Sequence, residues 1–526
     1  MEEESAGMEF EARSDQGPVL GLGDERWGAD DLEQRIARAA GLFAAAGIGR
    51  EDRVALLLRN DFAFIVAAAA AGRLGAYAVP INWHFAPPEV RYVVEDCGAK
   101  LLVAHADLHR AAAAALPASV ETLVIETPPA VRAAYGIAPE AAAVPAGARD
   151  FWREVEAAEP IPEQDIPPPG SIIYTSGTTG RPKGVRRFPL PDMQAYLRSM
   201  MTIIHAWGLD QQPIRAVMTG PMYHSAPFTY ALTIVRLAGH LHLMPRFDPL
   251  QLLELIQRER ITHLHMVPTM FVRLLKLPEE VRRRYDVSSL RFVVHGAAPC
   301  PPHVKEAMLD WWGDVIYEYY GSTEVGVLTR MDPQDWRARP LSVGRPLPGV
   351  ELRIYDEAGN ILPPGRGHLG EIYARNTLIA DFTYHGDEAK RRGIERDGFV
   401  TNGDMGWIDE EGFLFLEGRS HDMVISGGVN IYPAEIESAL HEIPGVLDCG
   451  VFGVPDPEFG ERLVAAIQPE PGAALTAEGI RSALKGRIAD YKIPREIHFL
   501  PELPREDTGK IFKRRLKEDY LAGRLG

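Results

Sequence analysis

The sequence predicts an α/β protein: a large N-terminal α/β domain of doubly wound sheets with a smaller β subdomain, then a small mobile α+β domain at the C-terminus. Three observations carry this expectation. Short apolar runs alternate with helical patterns over most of the chain, which implies parallel strand pairing. The length of 526 residues suggests roughly three to four structural units. The texture changes after about residue 417, beyond which short strands and helices form a separate compact pattern.

Each element has a local reason. Residues 31–47 carry Leu32, Ile36, Ala39 and Phe43 at helical spacing. "RVALLL" (53–58) is a continuous apolar run and reads as a buried strand. "DFAFIVAAAAAGRLG" is helical, "AYAVPIN" a strand, "PPEVRYVVEDCGA" a helix and "KLLVAHA" a strand. Residues 127–170 are rich in Ala, Pro and Glu, and read as surface connection with one helical piece. Its closing "IPPPG" cannot serve a central strand, so it delivers the chain into the strand that follows. "HLHLMPR", "ITHLHMVP" and "LRFVVHG" are strands, with helices such as "PLQLLELIQRER" between them. In the last part a helix covers 435–442 after Pro433, "GVLDCGVFGV" and "RLVAAIQPE" are strands, "TAEGIRSALKGRIADY" is one helix, "EIHFLP" a strand and "KIFKRRLKEDYL" a final helix.

Composition excludes several classes. A net charge of −17 argues against general binding to nucleic acid or anionic membrane, which needs a basic face. Cys97, Cys300 and Cys449 are far apart and show no C-x-x-C spacing, so neither a disulfide framework nor a zinc site is expected. The acidic start "MEEESAGMEF" lacks the marks of a signal peptide, and the apolar run 62–72 is too short to span a bilayer. A cytoplasmic protein is the expectation.

The chemistry concentrates in "SIIYTSGTTGRPKGV" (171–185). Thr175, Ser176, Thr178 and Thr179 supply hydroxyls, Gly177, Gly180 and Gly184 leave the backbone bare, and Lys183 adds one positive charge. Bare N–H groups, hydroxyls and a point charge make a phosphate cradle. The spacing is not that of a Walker A loop, since Gly184 follows Lys183. A polar surface turn is the bland alternative for a shorter G-T-T-G.

This stretch resembles the phosphate-binding loop of the adenylate-forming enzymes, among them acyl-CoA synthetases, 4-coumarate–CoA ligases, firefly luciferase and nonribosomal adenylation domains. In the family's order, "YEYYGSTEVG" (317–326) resembles the adenine and metal segment, "TNGDMGWIDEEG" (401–412) the ribose segment, "LEGRSHDMVISGGVNIYPAEIE" (416–437) the interdomain hinge, and "PREDTGKIFKR" (504–514) the segment of the catalytic lysine. The match runs over roughly residues 25–520.

The resemblance implies an ATP-dependent acid–CoA ligase with ATP, Mg²⁺ and coenzyme A, and domains at 1–419 and 420–526. Lys510 would bridge carboxylate and α-phosphate; alone it reads as a solvated surface lysine. Glu324 and Thr178 would hold Mg²⁺, and Thr323 would donate to the α-phosphate. Tyr320, ahead of Gly321, would stack on adenine, with Tyr319 the alternative. Asp404 would accept both ribose hydroxyls, opposite Arg419, which is otherwise a structural ion pair. His421 occupies the hinge position, where the family usually has Asp or Lys. Gly427 and Gly428 would line the pantetheine tunnel, or simply make a turn. Tyr223 and His224 would gate the carboxylate, and small residues at Gly296, Ala297 and Ala298 would leave room for a sizeable acyl chain.

His242, His263 and His265 read as core or surface rather than metal ligands. The basic cluster Lys513, Arg514, Arg515 and Lys517 reads as a solvated helix face offset by Glu518 and Asp519. The substrate is expected to be a medium- or long-chain fatty, aryl or polycyclic acid, since an acetate-sized pocket would need a bulky blocker near Gly321. The rival readings are an adenylation enzyme loading a carrier protein, a luciferase-like oxygenase, or a catalytically inactive nucleotide-binding homologue.

Overall fold

The computed structural model describes residues 19–175, 182–297, 300, 302–356, 358–419, 424–431, 433–504, 511 and 513–525. Alternating strands and helices form a parallel sheet in the order Tyr77–Pro80, Arg53–Leu57, Leu101–His105, Glu121–Ile125, Arg149–Asp150. Its central strands are buried throughout, as continuous apolar runs between helical layers require.

A second, nine-stranded sheet forms the floor of the main cleft. Its centre pairs in parallel, from His240–Leu243 through Arg215–Met218, His263–Met266 and Phe292–His295 to Ile316–Ser322. Beyond Ile316–Ser322 it turns antiparallel through Gly326–Met331. Asp61, Asp192 and Asp248 each cap a helix through their side chains, which accept from the amides of Phe64, Ala195 and Gln251. A three-stranded sheet joins Ile172–Thr175, Lys183–Arg187 and Phe382–Tyr384, and an antiparallel sheet around Phe399–Ile408 forms the β subdomain.

The smaller C-terminal domain has its own sheet, ordered Val429–Ile431, Val424–Ser426, Gly460–Pro469, Val446–Asp456, with Glu496–Phe499 added to Gly460–Pro469. Its core gathers Ile436, Leu440, Val451, Ile467, Ile480 and Leu484. The sequence-based boundary at 419/420 falls against residues 420–423, which lie outside the described residues, as does the hinge candidate His421.

Two expectations need correction. Residues 127–170 hold more than one helical piece: Pro129–Tyr135, Pro139–Ala142 and Phe151–Ala157, plus a strand at Arg149–Asp150. Proline near each of the first two starts, and Asp150 capping the amide of Arg153, nucleate turns in what looked like loop. The single helix expected over "TAEGIRSALKGRIADY" stops at Leu484, because Gly486 takes φ +76°; a short 3-10 turn follows at Asp490–Lys492.

Candidate active site

A continuous cavity of about 2460 Å³ runs between the large sheet, the β subdomain and the C-terminal domain. That is several times the ~300–1,000 Å³ of an ordinary small-molecule pocket, so it has room for several ligands at once. Thr175, Lys183, His224, Ala297, Tyr320, Gly321, Thr323, Glu324, Asp404, Gly427 and Gly428 all line it.

Thr175 and Lys183 face each other as the closing pair of an antiparallel hairpin. The loop candidates Ser176, Gly177, Thr178, Thr179 and Gly180 lie outside the described residues, as do Ala298 and Lys510. Thr175 and Lys183 thus mark where that loop enters and leaves the cavity wall.

Successive residues of strand Ile316–Ser322 point to opposite faces. Tyr319 is buried, and its hydroxyl lies 3.0 Å from Nε2 of His265. Tyr320 is only half-buried, and its hydroxyl donates to Oδ2 of Asp404 at 2.6 Å. The structure therefore puts Tyr320 and Asp404 side by side, with Tyr319 among core aromatics beside Trp207. Asp404 is buried on strand Phe399–Ile408 and pairs in register with Arg419 on the neighbouring strand.

Glu324 follows in the turn after that strand, where the Ser322 hydroxyl accepts from its amide at 3.2 Å. The hydroxyl of Tyr384 donates to its carboxylate at 3.0 Å. Two further cations stand close by. Arg187 donates to the carbonyls of Ala380 (2.8 Å) and Thr323 (2.9 Å), and burial pulls its guanidinium down to about 10. Lys390 lies 4.8 Å from the Tyr384 ring centre; burial first, and Lys183 beside it second, bring its ammonium down to about 8. Sequence reasoning missed Arg187, Tyr384 and Lys390. Their only signal is position, since strand Phe382–Tyr384 joins the hairpin of Lys183 from two hundred residues away in the chain.

His224 occupies the N-cap of helix Ser225–Arg236 and touches the ring of Tyr223 at 4.4 Å. Burial, then His84, hold it at about 4, so the imidazole is neutral at ordinary pH. Gly427 and Gly428 take φ +61° and +79°, a turn that side chains with a Cβ resist. A Cβ on Gly428 would sit 3.5 Å from Val267, so this turn of the C-terminal domain abuts the large domain.

The expected role of Gly296 changes. A Cβ on Gly296 would lie 2.6 Å from the Tyr319 ring. The bareness of Gly296 seats Tyr319 rather than an acyl chain. Ala297 adopts φ +68°, which an alanine tolerates only where its surroundings hold it. Gly321 admits no side chain either, because a Cβ there would lie 2.1 Å from the carbonyl oxygen of Gly326. Any bulky blocker near Gly321 would therefore have to come from another position.

His242, His263 and His265 are buried core residues, as expected. The described residues contain no cluster of three or more His, Cys, Asp or Glu suited to a metal. The basic C-terminal cluster is offset partly by other elements: Lys513 pairs with Glu437 and Lys517 with Glu461, beside Arg515–Asp519 within the helix. Among the described residues, no helix is long and apolar enough to cross a membrane.

A two-domain fold with one cavity lined from both domains and the Thr175–Lys183 hairpin at its wall defines a class, and comparison with known proteins gives the family. Residues 11–381 match the model of the AMP-binding enzyme family and 435–510 that of the AMP-binding enzyme C-terminal domain. The chain belongs to this family. It is 32% identical to a feruloyl-CoA synthase of an Amycolatopsis species, over 93% of both chains. It is 34% identical to 3-[(3aS,4S,7aS)-7a-methyl-1,5-dioxo-octahydro-1H-inden-4-yl]propanoyl:CoA ligase of Mycobacterium tuberculosis, over 94% of both. Among solved structures, the amide bond synthetase McbA from Marinactinospora thermotolerans superposes with a TM-score of 0.83 at 28% identity, covering 95% of this chain and 97% of that one. The o-succinylbenzoate CoA synthetase MenE of Bacillus subtilis matches at 26% identity over 95% of each chain, with a TM-score of 0.80 for a double mutant bound to the product analogue OSB-NCoA and 0.63 for the complex with AMP.

Proposed function

We propose that this chain is an ATP-dependent carboxylic acid–CoA ligase. The acid's carboxylate attacks the α-phosphorus of ATP and expels pyrophosphate, giving an acyl-adenylate. The thiol of coenzyme A then attacks the acyl carbon, its proton passes to solvent, and AMP leaves with the thioester formed. The observation that carries this reading is convergence. One cavity takes Tyr320 and Asp404 at one end, Lys183, Lys390 and Glu324 beside them, Tyr223 and His224 on another wall, and Gly427–Gly428 from the C-terminal domain.

In this reading Tyr320 stacks on adenine and its hydroxyl orients Asp404, which accepts from the ribose. Lys183 and Lys390 neutralise the polyphosphate, so two anions can approach. Neutral His224 and Tyr223 hold the carboxylate without adding a competing charge. Lys510 bridges carboxylate and α-phosphate, with Thr323 as a donor. The small domain begins near residue 420, and Arg419 flanks the ribose. Glu324 suits a hard cation: it offers a lone carboxylate at the cavity wall, and Mg²⁺ commonly takes one or two carboxylates with phosphates and water. Bound there with Thr178, Mg²⁺ would offset phosphate charge.

The CoA half is supported by the glycine turn against Val267 and by relatives named as CoA synthase and CoA ligase. An aryl or polycyclic acid is favoured over a fatty acid because Trp207, Tyr223 and Phe228 line the cavity. The relatives' names do not decide it, since they include both ring-bearing acids and, at 31% identity, a long-chain-fatty-acid–CoA ligase of Mycobacterium tuberculosis. The likeness to an amide bond synthetase makes an amine the second candidate nucleophile. The test is a panel of ring-bearing and straight-chain acids, read by AMP release with CoA, with simple amines, or with neither. CoA-dependent AMP release with a ring-bearing acid is expected. Release with amines only, or with no acid at all, would overturn the reading.

A further inference from the structure

The C-terminal domain meets the large domain at a second place, away from the glycine turn. Lys492 is fully buried there, on the 3-10 turn Asp490–Lys492. It donates to Glu89 of helix Pro87–Cys97 at 3.0 Å and to Glu435 of its own domain. Its ammonium lies 4.5 Å from the ring centre of Phe85. Next to it, the Tyr491 hydroxyl accepts from the side-chain amide of Asn82 at 2.8 Å. The Tyr491 ring stands edge-on to His84 at 5.6 Å, and His84 reaches Tyr223 at 6.5 Å.

A buried ammonium is costly unless it is paired. Here it has two carboxylates, and they belong to different bodies. Glu435 travels with Lys492, whereas Glu89 stays on the large domain. If the small domain moves away, Lys492 keeps Glu435 and no charge is stranded. Glu89 also keeps a partner, because its other oxygen accepts from the amide of Ala86 at 2.8 Å. Burial and the neighbouring Glu89 push Glu435 up to about 7 against the pull of Lys492, as expected for two acids around one cation. The contact is strong when made and cheap to leave, which suits a reversible joint rather than a permanent seam.

We propose that Asn82, Phe85 and Glu89 form a reversible docking socket for Tyr491 and Lys492, and that this socket holds the small domain in the arrangement presenting Gly427–Gly428 for thiol transfer. These are positioning residues. The proposal rests on the acid–CoA reading only for its kinetic consequence.

Glu89→Gln is the decisive variant. Glutamine keeps the bond to the Ala86 amide that starts the helix, but loses the charge. Tyr491→Phe removes the bond to Asn82 and keeps the ring. The first readout is hydrogen–deuterium exchange of the full-length protein without ligands. Exchange in 82–89 and 489–493 should rise about tenfold in Glu89→Gln, which weakens a charge-assisted hydrogen bond, and a few-fold in Tyr491→Phe, which removes a neutral one, with the melting temperature unchanged. Unchanged exchange in these segments overturns the socket. The second readout splits the half-reactions, using the best acid of the panel and its presynthesised adenylate. Glu89→Gln should slow thioester formation about tenfold and leave adenylation within about twofold, and Glu89→Asp should restore part of the loss. An equal fall in both halves overturns the positioning role. If no acid supports CoA turnover, the ligase reading fails, and the exchange result still decides the socket.

Discussion

The two walls of the cavity are built differently. The large-domain wall rises from strand ends whose neighbours are core residues: Tyr320 adjoins buried Tyr319, and Asp404 sits on a buried strand. The C-terminal wall is a glycine turn held through an ion triad, a tyrosine hydroxyl and a contact with Val267. Polar interdomain contacts of this kind permit motion, and apolar ones resist it. The first wall is thus suited to fixing a nucleotide, and the second to arriving and leaving.

Substitutions should separate the walls. The largest effect is expected at Lys510, the last residue matched by the C-terminal family model. Lys510→Ala should cut adenylation by on the order of 10²–10³-fold, while thioester formation from supplied acyl-adenylate survives far better. Equal losses in both half-reactions would remove Lys510 from the first step and blur the comparison. On the fixed wall, Glu324→Gln should raise the Mg²⁺ concentration for half-maximal adenylation by about tenfold, one charged contact. An unchanged Mg²⁺ titration would exclude the metal role. Lys390→Ala should weaken inhibition by pyrophosphate and raise KM for ATP several-fold, with kcat less affected. Identical pyrophosphate inhibition in the variant would remove Lys390 from the phosphate site.

The smallest effect concerns acid. Burial holds His224, His242, His263 and His265 at about 4 and pulls His295 well below its ordinary value, all in the large domain. Each binds its proton more readily unfolded than folded. Stability therefore rises with pH between about 4 and the ordinary histidine value near 6.5, and falls as pH drops through that window. In the C-terminal domain His441 is exposed and His498 half-buried. Glu435 of the small domain, raised to about 7, binds its proton more readily folded and so gains stability as pH falls. Calorimetry from pH 7 to pH 5 should therefore shift the large-domain transition down by several degrees and the small-domain transition by less. A common shift of both would show that the domains do not unfold as separate units.

Much of the fold was legible because helices and buried strands announce themselves by period. "RVALLL" and "PLQLLELIQRER" became strand and helix for that reason. Residues 127–170 were not, since Pro and Ala starts carry little hydrophobic pattern. For the site, the sequence located residues that share a motif, such as Tyr320 and Glu324 or Thr175 and Lys183. It missed Lys390, Tyr384 and Glu89, which reach their places only through pairing of distant strands or domains. It also misread Gly296, because a glycine in a sequence does not say what presses against it.

That pressure has an evolutionary consequence. With the Tyr319 ring 2.6 Å from where a Cβ on Gly296 would stand, the two positions are not free to vary one at a time. A larger residue at 296 is blocked until 319 shrinks, and a smaller residue at 319 opens a hole that 296 can then fill. A variant library that randomises 319 before 296 should yield folded clones with larger residues at 296, whereas the reverse order should yield mostly unfolded ones.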